Sequence, residues 1–166
     1  MTSEFVHLHN HSDYSLLDGA QKIDQLVNTI DDLNMDAVAL TEHGNMFSVL
    51  PYYKQAKKAG IKPIIGCEIY VAVGSRFEKK TRSDGGWGNN HLILLAQNFT
   101  GYKNLMKLVT AGYLEGFYYR PRIDMDLLRE YSEGLICMSA CLKGVVPEKM
   151  LKGDYEGARK EALLFS

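Results

Sequence analysis

Apolar runs that favour β-strands alternate along this chain with segments of helical period, and this alternation limits the available folds more than any other feature. The runs lie at 5–9, 36–41, 62–73, 91–96 and 134–140. Such alternation is typical of a mainly parallel sheet whose strands are joined by crossover helices. The sequence therefore predicts an α/β protein.

Three segments between these runs have the apolar spacing of a helix with one buried face. They span about 21–34, 48–59 and 101–115. Pro51 fits the second segment because it falls in the first turn, and Gly60 follows as a C-terminal stop. The apolar stripes predict helices that pack against the sheet.

The spacing of the strand onsets, near 5, 37, 63, 92 and 135, is that of β/α units. A complete (β/α)₈ barrel takes about 250 residues, so a chain of 166 residues provides about five units. A last helical segment begins at Asp154 and still has helical character at Ser166. We expect an incomplete barrel-like fold in which 1–166 is one part of a larger domain.

The composition excludes several classes of protein. Hydrophobic residues make up 46% and charged residues 23%, which is typical of a globular domain and not of a disordered one. The net charge of −1 gives no overall positive field, so any phosphate recognition is expected to be local. Three cysteines, a start without signal-peptide character and the lack of a membrane-length apolar run predict a cytoplasmic protein with no membrane partner.

The histidines form the first candidate site. All five lie at 7, 9, 11, 43 and 91, and on a strand the first three would share one face. Neutral imidazoles crowded together are poor core material but good ligands for zinc, iron or manganese. The pattern, followed by Asp18, indicates a metal site at His9 and His11. His7 lies one pleat deeper, and we interpret it as a hydrogen-bonded or core histidine.

Other ligand-type residues fall beside the ends of β runs. His43 follows the second run, at the carboxyl end where barrel enzymes place their active groups, and Cys141 follows the last run. Glu68 interrupts an apolar run, where an unpaired buried carboxylate would be costly. His91 precedes its run, so a capping or surface role is as open as coordination. Glu42 adjoins His43 and is expected to point away from the metal site.

Two basic segments are candidate binding regions: the first as an arm over a phosphate-bearing ligand, and the second as an aromatic surface that stacks on bases or on a neighbouring domain. The alternative to a binding role is that both segments are solvated surface. For the second segment, the tyrosines would then pack against the protein. The loop 74–90 carries the residues Arg76, Lys79, Lys80 and Arg82, and the aromatic segment 118–122 carries Arg120 and Arg122.

The ligand-type residues and their neighbours resemble the successive motifs of the PHP (polymerase and histidinol phosphatase) domain. These motifs are His9-Asn10-His11-Ser12 with Ser15 and Asp18-Gly19, Thr41-Glu42-His43-Gly44, Ile64-Ile65-Gly66-Cys67-Glu68, His91-Leu92 and Ser139-Ala140-Cys141. Longer phrases, among them FVHLHNHSDYSLLDGA, AGIKPIIGCEIYVA and FYYRPRID, are similar to the N-terminal region of bacterial replicative DNA polymerase III alpha subunits. The resemblance covers about residues 4–160.

The resemblance implies a distorted (β/α)₇ barrel with up to three divalent metal ions, zinc, manganese or iron, in its mouth. The residues at the family's ligand places are His9, His11, Asp18, His43, Glu68, His91 and Cys141, with Glu68 as a bridge between two ions. Family members with a full ligand set are associated with 3′–5′ exonuclease proofreading. Where the ligands have decayed, the domain is a structural platform.

The implied partners are a DNA 3′ end, the remaining polymerase domains of the same subunit and other replicase subunits. Arg120, Arg122 and the arm 76–82 would then hold the DNA backbone. One family motif, a closing Asp-x-His, is absent from the chain, so we expect incomplete metal binding. A metal-stabilised scaffold and a small-molecule phosphoesterase of the histidinol-phosphate type are the alternatives to the exonuclease.

Overall fold

A computed structural model describes residues 4–16, 18–80 and 88–165. In these ranges the chain forms six helices and five strands. The helices are α1 (Ile23–Asp32), α2 (Val49–Lys58), α3 (Phe99–Leu114), α4 (Met125–Glu130), α5 (Val145–Leu151) and α6 (Tyr155–Leu164). The strands are β1 (Ala37–Leu40), β2 (Lys62–Ala72), β3 (Asn89–Ala96), β4 (Arg122–Ile123) and β5 (Leu135–Met138).

The strand β2 is the centre of the sheet. On one side it pairs in parallel first with β1, from Ala37 opposite Lys62, and further along with β4, from Tyr70 opposite Arg122. On its other side it pairs antiparallel with β3, whose outer edge pairs antiparallel with β5. The result is a mixed α/β fold, which confirms the predicted class.

The prediction of a mainly parallel sheet is wrong for β3. A parallel return needs a crossover connection, usually a helix. In the described part of the connection between β2 and β3, residues 73–80, the backbone forms turns and irregular structure without a helix. The strand β3 runs back antiparallel to β2.

The predicted first strand, 5–9, forms no regular strand; it lies beside β1 outside the ladder. The Ala39 NH donates to the carbonyl of His7 at 2.8 Å, and the Thr41 NH donates to the carbonyl of Asn10 at 2.9 Å. These hydrogen bonds attach the opening segment to β1. The other predicted strands and the three predicted helices are confirmed, with bounds shifted by a few residues.

Two hydrophobic clusters hold the helices on the sheet. The helices α1 and α2 pack on β1 through the buried residues Ile23, Leu26, Val27, Ile30, Val38, Leu40, Tyr52, Ala56 and Ile61. The helices α3 and α4 pack on β2 and β3 through Leu105, Leu108, Leu127 and Leu128. Each fully buried leucine stabilises the fold by about 1.5–3 kcal/mol.

The strand directions place several chain ends at one edge of the sheet. The strand β5 is antiparallel to β3 and therefore runs in the same direction as β2 and β1. The carboxyl ends of β1 and β5 thus lie at the same edge as the amino end of β3. None of the helices in the described ranges has both the length and the apolar character needed to cross a bilayer.

Candidate metal centre

One buried carboxylate, Glu68, is surrounded by four imidazoles. The side chain lies in the middle of β2 and is 1% exposed. Its Oε2 lies 2.7 Å from His9 Nε2 and 3.4 Å from His11 Nε2. Its Oε1 lies 3.0 Å from His43 Nδ1 and 2.6 Å from His91 Nδ1. Each carboxylate oxygen therefore faces two histidines.

Two further residues extend this group at its rim. Asp18 Oδ2 lies 2.7 Å from His43 Nε2, and Cys141 Sγ lies 3.7 Å from His91 Nδ1. The structure thus brings all seven residues proposed as ligands into one connected group, which we call the histidine cluster. Its members are His9, His11, Asp18, His43, Glu68, His91 and Cys141.

The donor atoms of the histidine cluster fit metal ions. The ligand atoms of His9, His11 and Glu68 all lie within 4.8 Å of one another, close enough to bind a single ion. Nδ1 of His11 is buried and has no hydrogen-bond partner among the described residues. The rings of His11 and His43 stack at 3.8 Å between centroids. Nitrogen, carboxylate and thiolate donors together suit zinc, manganese or iron.

The histidines also set the charge of the carboxylate. Burial raises the pKa of Glu68, but hydrogen bonds with His11, His43, His9 and His91 outweigh this and hold the pKa far below its usual range. The hydrogen bond with Glu68 raises the pKa of His43, burial opposes that rise, and Asp18 adds to it. The centre of the cluster is therefore a carboxylate that attracts protons or metal ions to the imidazoles around it.

The direction of β3 explains the place of His91, which the sequence left ambiguous. His91 lies near the start of β3, opposite Tyr70 of β2. Because β3 is antiparallel to β2, its start lies at the edge where β1 and β5 end. His91 therefore reaches Glu68 although it precedes its apolar run.

His7 lies outside the histidine cluster. Its side chain is exposed, and its ring contacts Phe5 at 4.8 Å between centroids. The interpretation of His7 as a core or hydrogen-bonded histidine beside the site is wrong. The opening segment joins the sheet through its own backbone carbonyls, so it does not bury alternate side chains as a central strand would.

Glu42 points away from the histidine cluster, as the sequence predicted, but it has partners that sequence reasoning missed. The carboxylate is 1% exposed and accepts hydrogen bonds from the Ser12 NH and from the hydroxyls of Ser12 and Ser15. The two serines three residues apart between His11 and Asp18 were the available signal.

Of the basic candidates, Arg122 is the clearest correction. It is 2% exposed, its Nε donates to the carbonyl of Gly116 at 3.0 Å, and its Nη2 donates to the carbonyls of Arg76 and Glu78. Arg76 in turn pairs with Asp124 at 3.0 Å and with Glu115 at 2.6 Å. We call Arg76, Glu115, Arg122 and Asp124 the arginine clasp. It binds the segment after β2 to α3 and β4, so Arg122 belongs to the interior and not to a DNA-facing surface.

The other basic candidates lie at the surface or outside the described ranges. Lys79 and Lys80 are exposed, and Lys80 pairs with Glu78 at 2.9 Å. Arg82 lies outside the described residues. Arg120 is exposed, and its guanidinium lies 5.5 Å from the ring centre of Tyr70. Because the Tyr70 ring contacts His91 edge-on at 5.1 Å, Arg120 is, among the basic candidates that the structure describes, the one linked to the histidine cluster.

Gly44 allows this close packing beside the cluster. Its φ is +63°, and a Cβ there would lie 2.7 Å from Pro121 and 3.0 Å from Tyr70. The turn after His43 therefore needs glycine for both its backbone angle and its space. The neighbouring Tyr70 is itself buried, and burial raises its pKa to about 12, so its hydroxyl stays neutral next to the carboxylates.

Comparisons with known proteins identify the family. The chain is 58% identical to the DNA polymerase III subunit alpha of Borreliella burgdorferi over 98% of its own length, and 52% identical to that of Treponema pallidum over 97%. It spans about 14% of the length of each relative.

Among solved structures, an amidohydrolase from Chromobacterium violaceum is 21% identical, with a TM-score of 0.46 over 64% of this chain and 32% of that one. A two-domain protein from Bacteroides vulgatus that contains a predicted PHP-like metal-dependent phosphoesterase is 20% identical, with a TM-score of 0.47 over 80% of this chain and 33% of that one. The family model of the PHP domain matches residues 7–165. This chain, with its carboxylate ringed by histidines, belongs to the PHP domain family.

Proposed function

We propose that this chain is the PHP region of a bacterial replicative DNA polymerase III alpha subunit and that it serves 3′–5′ exonuclease proofreading. The identities of 58% and 52% to such subunits support the first part. The observation that carries the second part is the contact of one buried carboxylate with four imidazoles. Hydrolysis at the terminal phosphodiester would consume one water and release a nucleoside monophosphate.

The seven residues of the histidine cluster would hold divalent metal ions, up to three in number. When bound, such ions neutralise charge on a phosphate and lower the pKa of a coordinated water towards neutrality. Phosphodiester hydrolysis depends on both effects. The Asp-x-His pair expected from the family is absent from the 166 residues, so we propose the seven as a partial ligand set.

The side chains of the chain itself have distinct tasks in this proposal. Glu68 presents one oxygen to His9 and His11 and the other to His43 and His91, which suits a bridging carboxylate. The side chains of Asp18 and His9 are 59% and 33% exposed, so the cluster opens to solvent and a DNA end can reach it. Arg120 is placed to hold a phosphate beside it.

The finer description of the fold also belongs to the proposal. An incomplete, distorted (β/α)₇ barrel is supported by the shared direction of β1, β2 and β5 and by the position of the cluster at their carboxyl edge. The face of the sheet turned away from the helices carries the small apolar group Ala39, Ile93 and Leu95, and Glu68, opposite Ile93 in the register, lies on this same face. That group would line the inside of the barrel.

The proposed partners follow from the same role. They are the 3′ end of DNA, the polymerase domains of the same subunit and other replicase subunits, and the place of action is the cytoplasm. Lys79, Lys80 and Arg120 are the described basic residues that we retain as candidates for the DNA backbone.

The test is 3′-end cleavage of single-stranded and mismatched DNA by a complete alpha subunit that contains this region, supplied with Mn²⁺ or Zn²⁺. We expect release of nucleoside monophosphates, and we expect His9→Ala and Glu68→Ala to abolish it. Asp126→Ala, which removes a carboxylate that is 92% exposed on α4, is the matched control and should cleave normally. Unchanged cleavage in the first two variants would exclude the exonuclease.

The same assay separates the two rival functions. A small-molecule phosphoesterase would hydrolyse a phosphate monoester faster than a DNA end. A scaffold would gain thermal stability from the metal but would cleave neither substrate.

A further inference from the structure

A second buried carboxylate lies next to the histidine cluster without contacting its donor atoms. Glu42 is 1% exposed, and its two oxygens accept from the Ser12 NH, at 3.3 and 3.1 Å, and from the hydroxyls of Ser12 and Ser15. Among the residues that the structure describes, no lysine or arginine pairs with it. A buried carboxylate is costly unless hydrogen bonds compensate it, so these three donors are what keep it in place.

The donors all belong to one short turn. The Ser15 NH donates to the Ser12 carbonyl at 2.9 Å, and the Gly19 NH donates to the Ser15 carbonyl at 2.9 Å. A Cβ on Gly19 would overlap the Ser12 carbonyl oxygen, so the turn closes tightly at its far end. Glu42 therefore fixes the turn at two points, Ser12 and Ser15.

This turn carries two members of the histidine cluster. His11 directly precedes Ser12, and Asp18 directly precedes Gly19. Asp18 has an exposed side chain, yet its Oδ2 lies 2.7 Å from His43 Nε2. Since exposed aspartates are otherwise free to change rotamer, the backbone of the turn must supply much of this placement.

The turn is also joined to His43 through Ser15. The Ser15 hydroxyl donates to Glu42 and accepts from the His43 NH at 3.0 Å. The carboxylate of Glu42 and the backbone of His43, neighbours in sequence, thus grip the same hydroxyl. Movement of the turn relative to His43 would break both hydrogen bonds.

We propose that Glu42 is a positioning residue that holds Ser12 and Ser15 against His43 and so sets the distance of His11 and Asp18 from His43 and Glu68. The inference rests on the proposed function, because positioning has a purpose only if the cluster binds metal. Partners of this kind commonly change metal affinity by about 10- to 100-fold without touching the ion.

The first test is Co²⁺ titration of the metal-free chain, followed by visible absorption. We expect Glu42→Ala to weaken Co²⁺ binding by about 10- to 100-fold and Ser15→Ala to weaken it less. Glu42→Gln keeps the shape and one acceptor oxygen, so it should recover part of the affinity and guards against an alanine variant that does not fold. Asp124→Ala removes another buried carboxylate, one outside the cluster, and should leave Co²⁺ affinity unchanged.

The second test needs no metal. Amide hydrogen exchange at Ser15 and Gly19 should be faster in metal-free Glu42→Ala than in the wild type, and unchanged in Asp124→Ala. Combining Glu42→Ala with Asp18→Ala should cost less Co²⁺ affinity than the sum of the two single changes, because both act through the same turn.

The outcomes separate the inference from the proposed function. Wild-type exchange at Ser15 and Gly19 in Glu42→Ala, or an equal loss of Co²⁺ affinity in Glu42→Ala and Asp124→Ala, overturns the role of Glu42. If the wild-type chain binds no Co²⁺, the proposed function fails, and hydrogen exchange alone then decides whether Glu42 holds the turn.

Discussion

Glu68 and Asp124 are both buried carboxylates, but they have partners of different kinds. In the arginine clasp, Asp124 faces the guanidinium of Arg76, which stays protonated at every ordinary pH. In the histidine cluster, Glu68 faces four imidazoles, which carry a positive charge only when protonated. The clasp contains its own cation, whereas the cluster depends on protons or on a metal ion.

This difference indicates what each region does. The charge of Asp124 is balanced by the permanent cation of Arg76, and two backbone NH groups also donate to it. Asp124 therefore holds the segment after β2 against the rest of the fold. A carboxylate shared by four imidazoles has no permanent cation beside it, so its charge is balanced only when a proton or a metal ion binds there. We therefore expect changes in the clasp to alter stability, and changes in the cluster to alter metal binding.

The largest expected effect is the response of stability to metal. At a free metal concentration of about 1,000 times Kd, binding adds about 4 kcal/mol to the free energy of unfolding. Glu68→Ala should abolish this gain, because it removes the proposed metal-binding carboxylate that lies against all four histidines. Urea unfolding with Zn²⁺ or Mn²⁺ and with a chelator measures it.

The control for this prediction is Asp124→Ala, which should show the full metal-dependent gain on a lower baseline. An equal response to metal in the wild type and in Glu68→Ala would show that the ion binds elsewhere. The distinction between cluster and clasp would then fail.

The second effect is the loss of stability when the clasp is broken. Asp124 is 6% exposed, and replacing it with alanine leaves Arg76 without its buried partner and α4 without its N-terminal cap. Removing one member of a buried ion pair costs about 3–5 kcal/mol. Chemical denaturation of the metal-free protein should show a loss of about 3 kcal/mol, while Co²⁺ affinity stays constant.

The clasp also shows where sequence reasoning stops. Local patterns suffice for α1, α2 and α3 and for four of the strands, because a periodic apolar face or run is a property of neighbouring residues. The direction of β3 depends on how the chain returns after β2, and no local pattern encodes it. Arg122 reads as a surface arginine because its acceptors, the carbonyls of Gly116, Arg76 and Glu78, carry no sequence signature.

The histidine cluster was more predictable for a chemical reason. Its ligands are of types that are rare in cores, so histidines in period two and a glutamate in an apolar run stand out. The contacts of Glu42 were not predictable in the same way, because serine and glutamate are common at surfaces. Only the fold brings Ser12, Ser15 and Glu42 together.

The third effect is the pH dependence of the clasp. Burial raises the pKa of Asp124, but hydrogen bonds from the backbone of Arg76 and Leu127, and the Arg76 side chain, outweigh it and hold the pKa below its ordinary value of 3.8. A carboxyl group with a lowered pKa adds stability above its ordinary pKa and loses it as the pH falls through the folded value.

Asp124→Asn tests this dependence, because asparagine keeps the cap but cannot lose a proton. The wild type should be more stable than the variant by about 2 kcal/mol at pH 7, and the difference should shrink below about pH 4. Comparing the two proteins cancels the titration of the histidine cluster, which they share. A difference that stays constant down to pH 3 would mean that the Asp124 charge does not hold the clasp.

The smallest expected effect concerns Arg120, a basic residue that lies close to the clasp in sequence and close to the cluster in space. Arg120 precedes the clasp residue Arg122 by two positions, but its guanidinium lies over Tyr70, beside His91. An exposed arginine that contacts a phosphate contributes about 1 kcal/mol, so Arg120→Ala should weaken binding of a single-stranded oligonucleotide about fivefold. Its free energy of unfolding should change by less than about 0.5 kcal/mol.

Fluorescence anisotropy in the presence of a chelator measures the binding of the oligonucleotide. The control for the lost charge is Arg129→Ala, which removes an exposed arginine on α4. Equal weakening in both variants would assign the effect to net charge, and Arg120 would then have no more role in phosphate binding than any other surface arginine.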